Sequence, residues 1–298
     1  VRSAPAVAAA PPLSAASPAR LIGARERFVR QALRKPMMLA GIVVVLAWVL
    51  PAILAPHIAP YDPIDQDVEH RLSAPSAAHW LGVDELGRDV FSRVLYGGRV
   101  SLPVAAVVVA VATGFGTLLG GVAGFAGGWM DAAAMRFVDV VLAFPSLILA
   151  MAIAAALGPS IQNSMLALLL VWWPPYARQA RGQALALKNR EFVVAARGLG
   201  LPEFRILLRH VLPNSFAPLL VMMTMDFGTA IIITAALSFL GLGAVPPTPE
   251  WGAMVAEGRE LIQQWWISTF PGVAIFTVAM AFNFIGDGLR DIIDPRLR

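Results

Sequence analysis

The 298-residue chain contains no cysteine, which excludes disulfides, thiolate metal sites and a Cys nucleophile. Charge is also scarce. Asp, Glu, Lys and Arg make up 14% of the residues, against about a quarter in an ordinary soluble domain. Lysine is confined to Lys35 and Lys188, and Arg supplies the rest of the positive charge. Neither lysine lies in a Gly-x-x-x-x-Gly-Lys-[Ser/Thr] run, so no phosphate-cradling loop is visible. The four histidines, His57, His70, His79 and His210, are scattered and form no His-Glu-x-x-His pair. Each reads as a surface or interfacial residue, and no metal set is expected. What the chain does have is apolar: 58% of its residues are hydrophobic.

The distribution of charge decides what that apolar excess means. Spanning a bilayer as a helix takes about 20 mostly apolar residues. Six segments qualify, near 37–57, 101–126, 134–157, 161–178, 216–242 and 265–286. No charge occurs between Asp139 and Arg178, a stretch too long for one span that suits a helical hairpin turning at Gly158-Pro159-Ser160. Basic residues gather in the stretch before the first span and in loop 177–215, which has seven basic and two acidic residues. Loop 58–100 has four basic against seven acidic residues, and loop 244–264 one against three. Basic loops mark the cytoplasmic side. The expectation is therefore an all-α membrane protein of six transmembrane helices with both termini cytoplasmic. A pI near 10 does not signal nucleic acid, because these residues flank apolar runs rather than forming one dense polar patch.

The chain then divides as follows. Residues 1–20, rich in Ala, Pro and Ser, read as a disordered tail. Residues 21–58 hold a basic anchor and the first span, and 59–100 an extracytoplasmic loop. Residues 101–288 form a core of five helices with a cytoplasmic loop at about 190–213, and 289–298 a cytoplasmic tail.

Several residues stand out. Asp226 is the one acid deep in an apolar span, and such a residue usually faces a cavity or a partner. A structural hydrogen bond to a neighbouring helix and a pore-lining contact to a cationic group of whatever passes fit it equally. Asn283 raises the same question with less force. Asp139 lies three residues from Arg136 and reads as half of a local helix pair. Gly120 and Gly124 form a Gly-x-x-x-Gly pair, which reads first as close helix packing within the chain. Trp265 and Trp266 suit the outer interface, while Trp172 and Trp173 precede Pro174-Pro175. In the inner loop, residues from Glu191 to Gly198 have helical spacing, and Gly200 and Pro202 stop that helix. A second amphipathic piece runs to Leu212, where Pro213 is expected to break it. An Ala-Ala face on such a short helix suits docking in another protein's groove.

This loop resembles the EAA loop of ABC importer permeases: Glu-Ala-Ala, three residues, Gly, nine residues, Ile, one residue, Leu-Pro. Ala195, Ala196, Gly200, Leu212 and Pro213 stand at matching positions. Val194 replaces the Glu and His210 the Ile, and Glu191, one turn earlier, is the candidate substitute acid. Arg197 lies within the same motif. The stretch His79-Trp80-Leu81-Gly82-Val83-Asp84-Glu85-Leu86-Gly87-Arg88-Asp89-Val90-Phe91-Ser92-Arg93 is similar to the C-type permease of dipeptide and oligopeptide importers, with Val83 where Thr is usual. So are Leu237 to Gly243, Pro247 to Gly252 and Gly286 to Arg298.

The resemblance, which runs from about residue 30 to the end, implies the type I ABC importer permease fold in a bacterial cytoplasmic membrane. It implies a homologous B-type permease as the other half of the pore and one or two P-loop ATPase subunits holding ATP and Mg. It also implies an extracytoplasmic peptide-binding protein. The chain itself would bind no cofactor and hydrolyse nothing. Gly87, Arg88, Asp89, Ser92 and Arg93 read as a structural cluster at the outer face. Dipeptides, longer peptides, glutathione and a metal chelate all remain open as substrate. A solitary secondary transporter would need internal repeats and charges along several spans, and an intramembrane enzyme a nucleophile with its base or a metal cluster. Neither pattern is present.

Overall fold

A computed structural model describes residues 31–293. The expected tail 1–20, most of the basic anchor and the last five residues lie outside the described residues. The described residues form ten helices, with short 3-10 turns and no strand: α1 (Pro36–Ile58), α2 (Val90–Ala126), α3 (Gly128–Leu142), α4 (Ser146–Leu157), α5 (Ile161–Trp172), α6 (Pro174–Leu187), α7 (Glu191–Gly198), α8 (Glu203–Phe239), α9 (Trp251–Glu257) and α10 (Trp266–Ile293).

Four of these, α1, α2, α8 and α10, are each long and apolar enough to cross a membrane. The segment read as a third span is not straight. It breaks between Leu142 and Ser146, and α3 and α4 meet at 82°. Pro145 explains the break, since it lacks the amide proton for the helix ladder and keeps its predecessor out of helical geometry. The segment read as a fourth span likewise divides at Trp173, just before Pro174-Pro175, into α5 and α6. The turn expected at Gly158-Pro159-Ser160 is present between α4 and α5. Gly158 has φ +89, the Ser160 hydroxyl accepts from the Asn163 amide at 3.0 Å, and the Asn163 side chain donates to the Leu157 and Gly158 carbonyls at 2.9 Å each.

Helix α2 is the spine. It starts at Val90, eleven residues before the expected span, so Ser92 and Arg93 belong to the helix rather than to the outer loop. Asp89 caps it, accepting from the Ser92 amide at 2.7 Å. Along its inner half, Gly116, Gly120 and Gly124 face α6. A methyl group at Gly116 would meet the Trp173 carbonyl at 2.5 Å, one at Gly120 would overlap the Ala177 carbonyl, and one at Gly124 would meet the Arg181 carbonyl at 2.8 Å. The glycine pair seen in the sequence thus packs inside the chain, backbone against backbone. Helix α10 runs antiparallel to α1, and Gly41 lies against the Ala281 carbonyl. Lys35 bonds Asp291 at 2.7 Å, so the start of α1 and the end of α10 emerge together.

The sharpest packing prediction is at this glycine face. Gly120→Val should cost about 3 kcal/mol or more of stability through backbone overlap. Gly114→Ala, on the open side of the same helix, should be neutral or slightly stabilising. Thermal unfolding in detergent of the two variants checks this.

Candidate functional site

Two clusters are built at opposite ends of α2, and a mainly apolar cavity with a few charged and polar groups lies beside α8. At the C-terminal end of α2, α7 presents Val193 and Ala196 to a core made with Phe125 of α2, Ala184 of α6, and Ile206, Leu207 and Val211 of α8. Of the Ala-Ala pair, Ala196 is therefore inside and Ala195 is outside. Helix α7 ends in a Schellman turn: the Leu201 amide donates to the Ala196 carbonyl at 3.2 Å and the Gly200 amide to Arg197 at 2.9 Å. Gly200 has φ +76, which a side chain disfavours. The Arg197 guanidinium forks onto the Glu203 carboxylate at 2.8 and 3.1 Å, donates to the Lys188 carbonyl at 3.3 Å and lies 5.5 Å over the Phe125 ring. The Glu203 carboxylate holds the Arg197 guanidinium above its ordinary range. Glu203, not Glu191, is thus the acid paired within the loop. Glu191 is exposed in the first turn of α7.

Pro213 does not break the second piece. The helix continues from Glu203 to Phe239 through a π-helical segment, Leu207–Val211. Widening the turn lets the Leu212 amide reach the Leu207 carbonyl just where Pro213 can donate nothing. The Asn214 side chain and the Ser215 hydroxyl then donate to the His210 and Val211 carbonyls at 2.6 and 2.8 Å. Several large apolar side chains of this loop stay outside: Phe192, Val194, Leu199 and Phe204 are all exposed, Leu199 by 81%.

At the N-terminal end of α2, Asp84, Arg88 and Arg93 are each 1% exposed. Arg88 donates to Asp84 at 2.7 Å and to Glu257 at 3.0 Å, and Arg93 donates to both Glu257 oxygens at 3.0 and 3.1 Å. The network ties the outer loop and α2 to α9. Gly87, at φ +83, lets this loop press on the Asp67 backbone. Asp89 also bonds His79 at 3.0 Å, and Tyr61 stacks on that ring at 4.7 Å. Glu257 escaped sequence reading because it is 164 residues from Arg93, although the excess of acids in its loop was visible. Buried Glu250 caps α9 and accepts from Ser101 at 2.9 Å. Trp266 is buried and donates to the Val83 carbonyl at 3.2 Å, while Trp265 remains half exposed. His70 and Asp67 form an exposed pair at 2.7 Å. Asp67 pushes the imidazole up and His70 holds the carboxyl down, so this weak pair is whole from about pH 4 to about pH 6.5, is lost in stronger acid as the carboxylate protonates, and is lost as the pH rises past the raised imidazole value.

Between the clusters, Asp226 is half buried on α8, beside Tyr176 and Trp172. It borders a cavity of about 660 Å³ that Gln179, Met222, Met225 and Arg290 also line. Asn283 turns back on its own helix and donates to the Ala279 carbonyl at 3.0 Å. Asp139 pairs with Arg178 of α6 at 2.8 Å rather than with Arg136. Its neighbour Asp131 forks onto Arg181 at 2.5 and 2.7 Å.

Comparison with known proteins settles the family. Residues 116–298 match the model of the binding-protein-dependent transport system inner membrane component, and residues 25–75 that of the N-terminal TM domain of oligopeptide transport permease C. The chain belongs to the binding-protein-dependent transport system inner membrane component family. It is 44% identical over 275 residues to a dipeptide transport system permease protein of Alkalihalophilus pseudofirmus, covering 92% of this chain and 90% of that one. It is 48% identical over 262 residues to a probable D,D-dipeptide transport system permease protein of Escherichia coli, covering 88% of each. A glutathione transport system permease protein of Escherichia coli is 43% identical over 273 residues, or 91% of this chain and 90% of that one. As a member of this inner-membrane family, the chain is a multi-pass permease with C-type relatives.

In this permease, removing Glu257 would leave two buried guanidinium groups without their shared acid. Glu257→Ala should cost about 3–5 kcal/mol, whereas Glu260→Ala, at an exposed neighbour, should change little. Unfolding midpoints of the two variants check this.

Proposed function

We propose that the chain is one of two pore-forming subunits of an ATP-driven ABC importer that carries di- or oligopeptides across the cytoplasmic membrane. It couples ATPase motion to alternating access through loop 190–213. The observation that carries this reading is the set of apolar side chains on that loop, Phe192, Val194, Ala195, Leu199 and Phe204, exposed on a unit whose opposite side is buried. Contiguous apolar surface of this kind suits a partner protein, and a short helix is a recurrent docking element. The Gly200 turn, the Arg197–Glu203 fork and the core with Phe125, Ile206 and Val211 bind α7 to α2, α6 and α8. A push on the exposed side chains is therefore passed to the spanning helices instead of being absorbed locally. His210, Leu212 and Pro213 serve at the junction, where the π segment carries the displacement into α8.

The assembly that fits is a homologous B-type permease, one or two P-loop ATPase subunits on the cytoplasmic face, and an extracytoplasmic peptide-binding protein. ATP and Mg belong to the ATPases, and this chain performs no hydrolysis. Relatives named for dipeptide and for glutathione transport support a short-peptide cargo. Six spans, with α3–α4 and α5–α6 as two bent ones and both termini inside, agree with the basic loops and with the meeting of α1 and α10 at Lys35 and Asp291. Asp226, and with less force Asn283, line the pathway. The buried network around Gly87, Arg88, Asp89, Ser92 and Arg93 holds the outer platform.

Leu199→Asp tests the reading, because docking it would bury an unpaired carboxylate at a cost of several kcal/mol. The variant should retain the partner permease, lose the ATPases on purification and cut ATP-driven peptide uptake into vesicles at least about tenfold. Full uptake by this variant would remove the loop from the coupling path.

A further inference from the structure

The cavity between α6, α8 and α10 has a chemistry more selective than a pore wall requires. Its volume of about 660 Å³ lies in the range that encloses a compact organic ligand. One face of α8 forms its floor, with Val221, Met222, Met225 and Asp226 at helical spacing, and Arg290 reaches in from the end of α10. Asp226 has neutral aromatic neighbours, Trp172 and Tyr176. The Tyr176 hydroxyl is buried and has no hydrogen-bond partner among the described residues. The cavity therefore offers one carboxylate, one guanidinium, the Gln179 amide and two thioethers.

Peptides differ in every side chain but share a terminal ammonium and a terminal carboxylate. A site that passes many sequences can hold on only to what all of them have. Resting on the peptide reading above, the geometry points to a two-ended site in which Asp226 receives the free amino terminus and Arg290 the free carboxyl terminus of a short peptide. Arginine suits the second task because its planar fork matches a carboxylate. The methionines suit the middle, since their flexible, polarizable side chains adapt to varied shapes. A sugar offers neither charge, and a single amino acid would leave most of the cavity empty.

The test uses the complete importer in proteoliposomes with its binding protein, comparing alanyl-alanine, its N-acetyl form and its C-terminal amide. The same binding protein serves every variant, so its own preference cancels when variants are compared. Asp226→Asn should lower uptake of the free dipeptide about tenfold or more, the scale of a lost charged hydrogen bond, and narrow the gap between free and N-acetyl peptide. Arg290→Gln should narrow the gap between free and amidated peptide instead, and Arg290→Lys should restore part of it. Each variant should co-purify with the partner permease and the ATPases in the same amounts as the unmodified chain, which shows an intact assembly. This crossed pattern supports the site. Equal losses for free and blocked peptides, or no loss, overturn it. Failure of the unmodified importer to move any peptide would instead overturn the peptide reading itself, and the two-ended site with it.

Discussion

The backbone contact between α2 and α6 is the constraint on which the remaining structure depends. Lipid is as apolar as leucine, so helices in a bilayer gain little by hiding apolar side chains from it and associate through close packing instead. Gly116, Gly120 and Gly124 remove the side chains that would keep the two backbones apart. With α6 held there, its end at Leu187 delivers α7 directly beneath the inner end of α2. With α2 held, its 37 residues span about 55 Å, well beyond the roughly 30 Å hydrocarbon layer.

That excess length is what joins the two sides. The N-terminal end of α2 carries Arg93 into the buried Arg–Glu network, and the C-terminal end carries Phe125 into the core under α7. Both attachments are stiff for different reasons. The first is electrostatic and largely desolvated, where breaking a pair costs far more than forming it gains. The second combines apolar burial with the Arg197 fork, and the π segment lets α8 continue without a hinge past Pro213. The cavity at Asp226 lies along α8.

Much of this was legible in the sequence wherever the cause is local. Gly158-Pro159-Ser160 and Gly200 announced turns because positive φ and capping hydroxyls are properties of one or two residues. The glycine spacing announced a close helix contact, and the fold class followed from apolar length and charge placement. What escaped depends on distant partners or on competition between local rules. Glu257 and Glu203 became identifiable as ion-pair acids only once folding brought Arg93 and Arg197 to them. Asp139 had a nearer basic neighbour in Arg136, yet the α3–α6 contact gave it Arg178. Pro145 and Pro213 carry the same chemistry and had opposite outcomes. At Pro145 the chain bends by 82°, whereas at Pro213 a widened turn carries the helix on, and the Asn214 and Ser215 side chains bond the His210 and Val211 carbonyls beside it. A proline in a sequence shows that the ladder must be interrupted, not how the interruption is resolved.

The most direct test of the central claim, that this chain is one wall and one lever of a multi-subunit importer, is its composition when isolated. The chain would be tagged in its native host, extracted in mild detergent, and the co-purifying proteins identified and quantified by mass spectrometry. The account predicts a second, homologous permease in equal amount and two P-loop ATPase subunits per pair. Recovery of this chain alone, intact and monodisperse, would contradict it and leave a solitary transporter as the better description.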